Sequence, residues 1–264
     1  MHDYVASDWA AVARANGLDS FESIWALDIG WFEEPNQRRG GWSGVSRHEV
    51  ALPDGSREGI FIKRQQNHTT RSWLHPVRGI LTFRREFRNL QQLQSFGVPT
   101  LDVLYFAERV VGGDRRAILI SRELAGYTSF DDCVRYWLQH GWPKKPVRDE
   151  IIQRLAGIAR HMHRHRIQQN CFLPKHVFIG EIDGKMDMRL IDFEKAKRCL
   201  TVERATIRDL DTFNRRSPWF KTTDRLRFLL AYHEQPQVND RVRKTWRKLA
   251  AVRRRKTRNP LPTQ

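Results

Sequence analysis

Met188-Arg189-Leu190-Ile191-Asp192-Phe193-Glu194-Lys195-Ala196-Lys197 is the stretch from which this chain is best read. An apolar run ends in a carboxylate, and a basic, helix-like segment follows. Such a strand end offers a hard oxygen ligand, suited to holding Mg²⁺ against a nucleotide phosphate. Many strands end in Asp, so the stretch gains weight from what precedes it. Lys63 lies in a strand-like run, Ile60-Phe61-Ile62-Lys63-Arg64, and Glu86 in a helix-like one, Arg84-Arg85-Glu86-Phe87-Arg88. Alone, Lys63 reads as an ordinary lysine on a strand's solvent face and Glu86 as half of a surface ion pair. A strand lysine, a helix glutamate and a strand-end aspartate, in that order, are parts that position phosphates for phosphoryl transfer.

Composition bounds the reading. The 264 residues suffice for one large domain or two lobes with a sizeable core. Hydrophobic residues make up 40%, with nine Trp and fourteen Phe, which argues against disorder. Lys and Arg number 47 against 30 Asp and Glu, a formal net charge of +17. So basic a surface attracts polyanions, be they nucleic acid, anionic lipid or phosphorylated glycan, and the sign does not choose among them. Cys133, Cys171 and Cys199 are far apart with no CxxC pair, so no disulfide framework is expected and a reducing cytoplasm is the default compartment. The first residues lack a basic flank followed by an apolar core, so no secretory signal is expected, and no apolar run is long enough to span a bilayer.

Periodicity divides the chain. Residues 1–38 read as an extension with a short helix over 5–16. Residues 39–125 read as β-rich, with strands over 45–52 and 59–64 joined by the turn Pro53-Asp54-Gly55-Ser56. Residues 65–80 are polar and basic and read as a loop with a short helix. A helix over 83–96 follows, with Phe83, Phe87, Leu90 and Leu93 at helical spacing, stopped by Gly97 and Pro99. Strands over 101–108 and 116–124 complete this part. Residues 126–264 read as mainly helical, with helices over 131–140, 148–165, 202–215, 223–232 and 240–255 and a strand pair over 177–180 and 188–191. The fold class is α+β.

Three further features invite function. Gly40, Gly41 and Gly44 precede the hairpin that carries Lys63; they do not form GxGxxG, and suit either plain turns or a loop over phosphates. His161, His163 and His165 suggest a metal, but on a helix only His161 and His165 share a face, and a third ligand is missing. The basic segment 241–258 carries Val242, Trp246 and Leu249 on one face, as a helix docked on a core would, while its outer face suits a membrane surface or nucleic acid. No helix-turn-helix, zinc-finger or RNA-binding signature is present.

The pieces Phe61-Ile62-Lys63-Arg64, Arg85-Glu86-Phe87, Phe96-Gly97-Val98-Pro99-Thr100, Ser121-Arg122-Glu123-Leu124-Ala125-Gly126, Met162-His163, Lys175-His176-Val177-Phe178, Leu190-Ile191-Asp192-Phe193-Glu194-Lys195-Ala196 and Arg208-Asp209-Leu210 recur in one order. In order and spacing the chain resembles the bacterial lipopolysaccharide-kinase family, the Kdo and heptose kinases, and looks closest to its InaA-type branch. The resemblance covers residues 40–232 or so. It implies a two-lobed protein-kinase-like fold, with a β-rich N-lobe over 39–125, a mainly helical C-lobe over 126–264, and ATP between them. Lys63 and Glu86 would be the phosphate-positioning pair, with Gly41 and Gly44 over the phosphates. Ser121, Glu123 and Leu124 would form the hinge that meets the adenine. Asp192, with His176, would bind Mg²⁺, and Asp209 would anchor the catalytic loop from a following helix.

One position departs from the family pattern. Active relatives carry a catalytic-loop Asp that accepts the acceptor hydroxyl's proton. Five residues before His176 stands Cys171 instead, and no carboxylate lies between Arg160 and His176. A thiolate, Asn170 or His176 would then have to orient the hydroxyl. The implied function is ATP- and Mg²⁺-dependent phosphorylation of a lipopolysaccharide core sugar, or of another anionic phosphorylated glycan, by a cytoplasmic protein peripheral to the inner membrane. A catalytically impaired, nucleotide-binding pseudokinase with a stress-related role is the alternative that Cys171 favours. Nucleic-acid binding is supported by charge alone.

Overall fold

The structure is a computed structural model and describes residues 3–38, 40–72 and 75–258. The chain forms two compact units, one of residues 1–92 and 100–125, the other of residues 93–99 and 126–264.

In the first unit the elements run β1 (Tyr4–Val5), α1 (Trp9–Ala15), α2 (Phe21–Ala26), β2 (Glu33–Arg38), β3 (Gly41–Ala51), β4 (Arg57–Gln66), β5 (Thr69–Ser72), β6 (His75–Leu81), α3 (Thr82–Ser95), β7 (Val103–Val111) and β8 (Asp114–Arg122). Six strands form one antiparallel sheet in the order β1-β7-β8-β4-β3-β2. Alternation along β4 decides what each face carries. Ile60 and Ile62 are buried in a cluster with Trp9, Val12, Phe21 and Ile24 of α1 and α2. Lys63 takes the other face. On that face Phe87 of α3 stacks on Phe106 of β7 at 4.3 Å.

Residues 3–38 are thus not an appendage to this unit. They supply one layer of its core and, through Tyr4 paired with Phe106, an edge strand. The helix expected over 5–16 begins only at Trp9, because Tyr4–Val5 is drawn into the sheet. Arg64 fastens the segment after α2, donating from its buried guanidinium to the carbonyls of Trp25 at 3.1 Å and Leu27 at 2.8 Å. The expectation of a loop with a short helix over 65–80 is corrected: β5 and β6 pair as a hairpin, with Thr69 opposite Leu81 and Thr70 opposite Ile80. β-Branched Thr69, Thr70 and Ile80 favour extended backbone, and the basic residues among them hid the alternation.

The second unit contains β9 (Thr128–Ser129), α4 (Phe130–His140), α5 (Lys145–Arg164), β10 (Ile167–Gln168), a 3₁₀ turn (Pro174–His176), β11 (Val177–Ile182), β12 (Lys185–Leu190), β13 (Lys197–Arg198), α6 (Val202–Arg216), α7 (Thr222–His233) and α8 (Asp240–Arg258). α5 is central, with Ile151, Leu155, Ala159, Met162 and His163 buried on one face. β11 pairs with β12 and β9, and β10 with β13. These short ladders fix the loops between them, which carry the candidate site. Ser129 caps α4 by accepting the Asp132 N–H at 3.1 Å, and Thr201 caps α6 by accepting that of Arg204 at 3.2 Å. α8 is helical as its spacing requires, with Val242 and Leu249 buried and Arg243, Arg247 and Arg254 exposed. Among the described residues no helix is long and apolar enough to cross a membrane.

Candidate active site

Lys63 and Glu86 meet in the first unit. Lys63 Nζ lies 2.7 Å from Glu86 Oε1, with the lysine side chain 19% exposed and the carboxylate side chain 3%. A carboxylate this deep is tolerable only when a cation and hydrogen bonds offset its desolvation. The sheet places the ammonium on the α3 face, and the helical spacing that buries Phe83, Phe87 and Leu90 brings Glu86 to meet it.

Gly41 and Gly44 lie within β3 rather than in a loop. A Cβ on Gly44 would come 2.5 Å from the ring of Trp31, and one on Gly41 would overlap the backbone of Gln66 and Asn67. Close packing accounts for both. Ser121 is buried near the end of β8, and its hydroxyl has no partner among the described residues. Glu123 grips Arg47 with both carboxylate oxygens at 2.8 Å, and its N–H donates to Gly59 O at 2.9 Å. Its side chain is therefore committed, and Leu124 follows it half-buried.

In the second unit Asp209 of α6 organises the loop after α5. Fully buried, it accepts the backbone N–H of Gln169 at 2.7 Å and that of Asn170 at 3.0 Å, with His163 Nε2 at 3.2 Å. Gln169 then donates from Nε2 to Ile191 O at 2.6 Å, tying the loop to the segment that carries Asp192. Asn170 is held in the left-handed region with φ 65°. Its side chain donates to Lys195 O at 2.7 Å and accepts from Gln168. Both ends of that amide are engaged, so the sequence-based expectation that Asn170 orients an acceptor hydroxyl is corrected: here it is a brace.

Asp192 follows β12 with φ 62°, a turn that sets its carboxylate beside Cys171 and His176. Phe193 and Ala196, just beyond, are buried. Burial, reinforced by the Asp192 charge, pushes the Cys171 thiol up to about 11. Cys171 is thus a neutral thiol, not a thiolate base. His176 donates Nδ1–H to Cys171 O at 2.8 Å. Burial holds its imidazole below the ordinary value despite Asp192, so Nε2 presents a lone pair to Asp192 Oδ2 at 3.5 Å. Two acceptors facing each other at this distance suit a cation, and Mg²⁺ commonly takes only one or two protein ligands beside substrate phosphates. Among the described residues no group of three or more His, Cys, Asp or Glu is arranged for a metal.

The other histidines have packing roles. His161 Nε2 reaches Phe96 O at 2.5 Å, and His165 stacks on Phe96 at 3.9 Å. His163 was missed as a loop-positioning residue when grouped with these two. Its signal was present: it stands four residues after Ala159 and eight after Leu155, on the buried stripe of α5. Gln169 carried no signal, since its role depends on Ile191 folding back beside it.

The sequence profile of the lipopolysaccharide kinase (Kdo/WaaP) family matches residues 22–232. Protein InaA of Escherichia coli (strain K12) is 28% identical over 193 residues, covering 72% of this chain and 85% of that protein. The lipopolysaccharide core heptose(I) kinase WaaP of Pseudomonas aeruginosa is 26% identical over 238 residues, covering 84% of this chain and 83% of that protein. A solved structure of WaaP in complex with acyl carrier protein shares the fold with a TM-score of 0.69 at 21% identity, over 98% of each chain. The architecture is protein-kinase-like, with a β-rich N-terminal unit and a helical C-terminal unit.

Proposed function

Since this chain belongs to the lipopolysaccharide kinase (Kdo/WaaP) family, we propose that it transfers the γ-phosphoryl group of ATP to a sugar hydroxyl of lipopolysaccharide core. The observation that carries this reading is the Lys63–Glu86 ion pair at 2.7 Å, which orients an ammonium as a phosphate clamp requires. Asp192 and His176 would hold Mg²⁺, which when bound neutralises charge on the phosphate oxygens. The segment from Ser121 to Leu124 would meet the adenine. The net charge of +17 suits an anionic glycan presented at the inner-membrane surface, where the protein would work peripherally.

Phosphoryl transfer through a loose transition state depends mostly on positioning and electrostatics. The loop braced by Asp209, Gln169 and Asn170 supplies positioning. Cys171 supplies no base, because burial and the neighbouring Asp192 charge keep its thiol protonated. Slow turnover is therefore expected. That same residue favours a second reading, a pseudokinase that binds nucleotide without transferring phosphate.

Calorimetric titration with ATP, with and without Mg²⁺, tests the part common to both. The expected result is binding strengthened by Mg²⁺ and lost in Lys63→Met. Absence of any nucleotide binding would overturn both readings.

A further inference from the structure

The hydrogen-bond chain that holds the catalytic loop does not end at His163. His163 Nδ1 lies 3.0 Å from the Tyr232 hydroxyl, and that hydroxyl lies 2.7 Å from Thr206 Oγ1. Thr206, Tyr232, His163 and Asp209 are all buried. The outer end of this chain lines a cavity of about 280 Å³ within the second unit. Arg160 and Arg164 of α5 and Arg241 and Lys244 of α8 stand around the same cavity.

Charge there is unbalanced. The lining carboxylates are Glu203 and Glu234. Glu203 is taken by Lys248, and Glu234 by Arg160 and by Arg164, the latter at 3.7 Å. Glu234 holds this place with φ 52°, a conformation costing about 1 kcal/mol for a residue with a Cβ. Arg241 and Lys244 make no ion pair among the described residues. Both Arg160 and Arg241 are close enough to act electrostatically on the Tyr232 phenol. Like charges gathered round a small, partly enclosed space repel one another, and an entering anion relieves them. Thr206 and Thr245 also line the cavity, with their hydroxyls donating to the carbonyls of Val202 and Arg241.

We propose that this cavity binds a compact phosphate-bearing anion, and that the catalytic loop senses its occupancy through Tyr232, His163 and Asp209. The coupling is short. Tyr232 bonds His163, His163 bonds Asp209, and Asp209 holds the N–H groups of Gln169 and Asn170. The site lies in the second unit alone and does not depend on the nucleotide reading. The phosphate could belong to a free solute or to a lipid headgroup.

The test is an amide NMR titration of the full chain with inorganic pyrophosphate, with phosphatidylglycerol vesicles as a parallel arm. The expected result is saturable binding that shifts Thr206 and Tyr232 together with Gln169 and Asn170. The Arg241→Ala, Lys244→Ala double variant, altered at exposed positions, should lose affinity by about tenfold or more, equivalent to about 1.4 kcal/mol. Tyr232→Phe should still bind while Gln169 and Asn170 no longer respond. Lys63→Met should leave the responses of Thr206, Tyr232, Gln169 and Asn170 in place, which separates this site from a nucleotide site. Capture by vesicles that needs Arg241 and Lys244, with no response to pyrophosphate, would assign the phosphate to a headgroup. Binding of both probes that ignores Arg241 and Lys244, or that leaves Gln169 and Asn170 unmoved, would overturn the proposal.

Discussion

Replacing Asp209 by Asn should loosen the loop that carries Cys171 while leaving the shape of the side chain unchanged. Asp209 is fully buried, and its oxygens take the Gln169 N–H at 2.7 Å, the Asn170 N–H at 3.0 Å and His163 Nε2 at 3.2 Å. Asn keeps one oxygen and gains an NH₂ group, which only donates. Whichever way the amide turns, at least one backbone N–H then faces another donor. A hydrogen bond to a charged group contributes about 1.5–3 kcal/mol, and a buried donor left unpaired costs about as much again at the low end. The expected loss is about 3 kcal/mol, lowering Tm by about 6 °C in a chain of this size. Hydrogen exchange should localise the effect, with the amides of Gln169 and Asn170 losing protection before those of β4. A variant as stable as wild type, with unchanged protection at 169–170, would refute the anchoring role.

Lys63→Met should cost about 2 kcal/mol in denaturant unfolding, below the ~3–5 kcal/mol of a fully buried pair because Lys63 is 19% exposed; adding Glu86→Leu should restore part of it, and no recovery would count against the pair. Asp192→Asn should remove the Mg²⁺ enhancement of ATP affinity in calorimetry while the fold is retained, since an amide is a poorer ligand for a hard cation; an enhancement of wild-type size would contradict the metal assignment. The exposed basic face of α8, with Arg243, Arg247 and Arg254, should promote sedimentation with anionic vesicles that fades as salt rises. Equal sedimentation with neutral vesicles would show that charge is not the cause.

Much of the fold was legible because period and turn chemistry agree. The helix α3 was marked by Phe83, Phe87, Leu90 and Leu93 and by its Gly97 stop, and β3 and β4 by their Pro53-Asp54-Gly55-Ser56 turn. What escaped was decided by tertiary partners. Val5 continues a helix-like pattern, yet pairing with β7 makes Tyr4–Val5 a strand. The β5–β6 hairpin lies among basic residues that obscure its alternation. At the candidate site, Lys63, Glu86 and Asp192 carry local signals, strand position, helix position and strand end, whereas Asp209 was marked by the family resemblance. The bracing of Asn170 by Lys195 O and of Gln169 by Ile191 O joins residues more than twenty positions apart, through backbone atoms that no residue pattern records.

The most direct test of the central claim is transfer of label from γ-labelled ATP to purified lipopolysaccharide core, followed over time for wild type, Lys63→Met and Cys171→Asp. The account predicts slow, Mg²⁺-dependent incorporation by wild type, none by Lys63→Met, and faster incorporation by Cys171→Asp, where a carboxylate supplies the missing base. No incorporation by wild type or Cys171→Asp, in preparations that bind ATP with Mg²⁺, would contradict the phosphotransferase reading and leave a nucleotide-binding pseudokinase in its place.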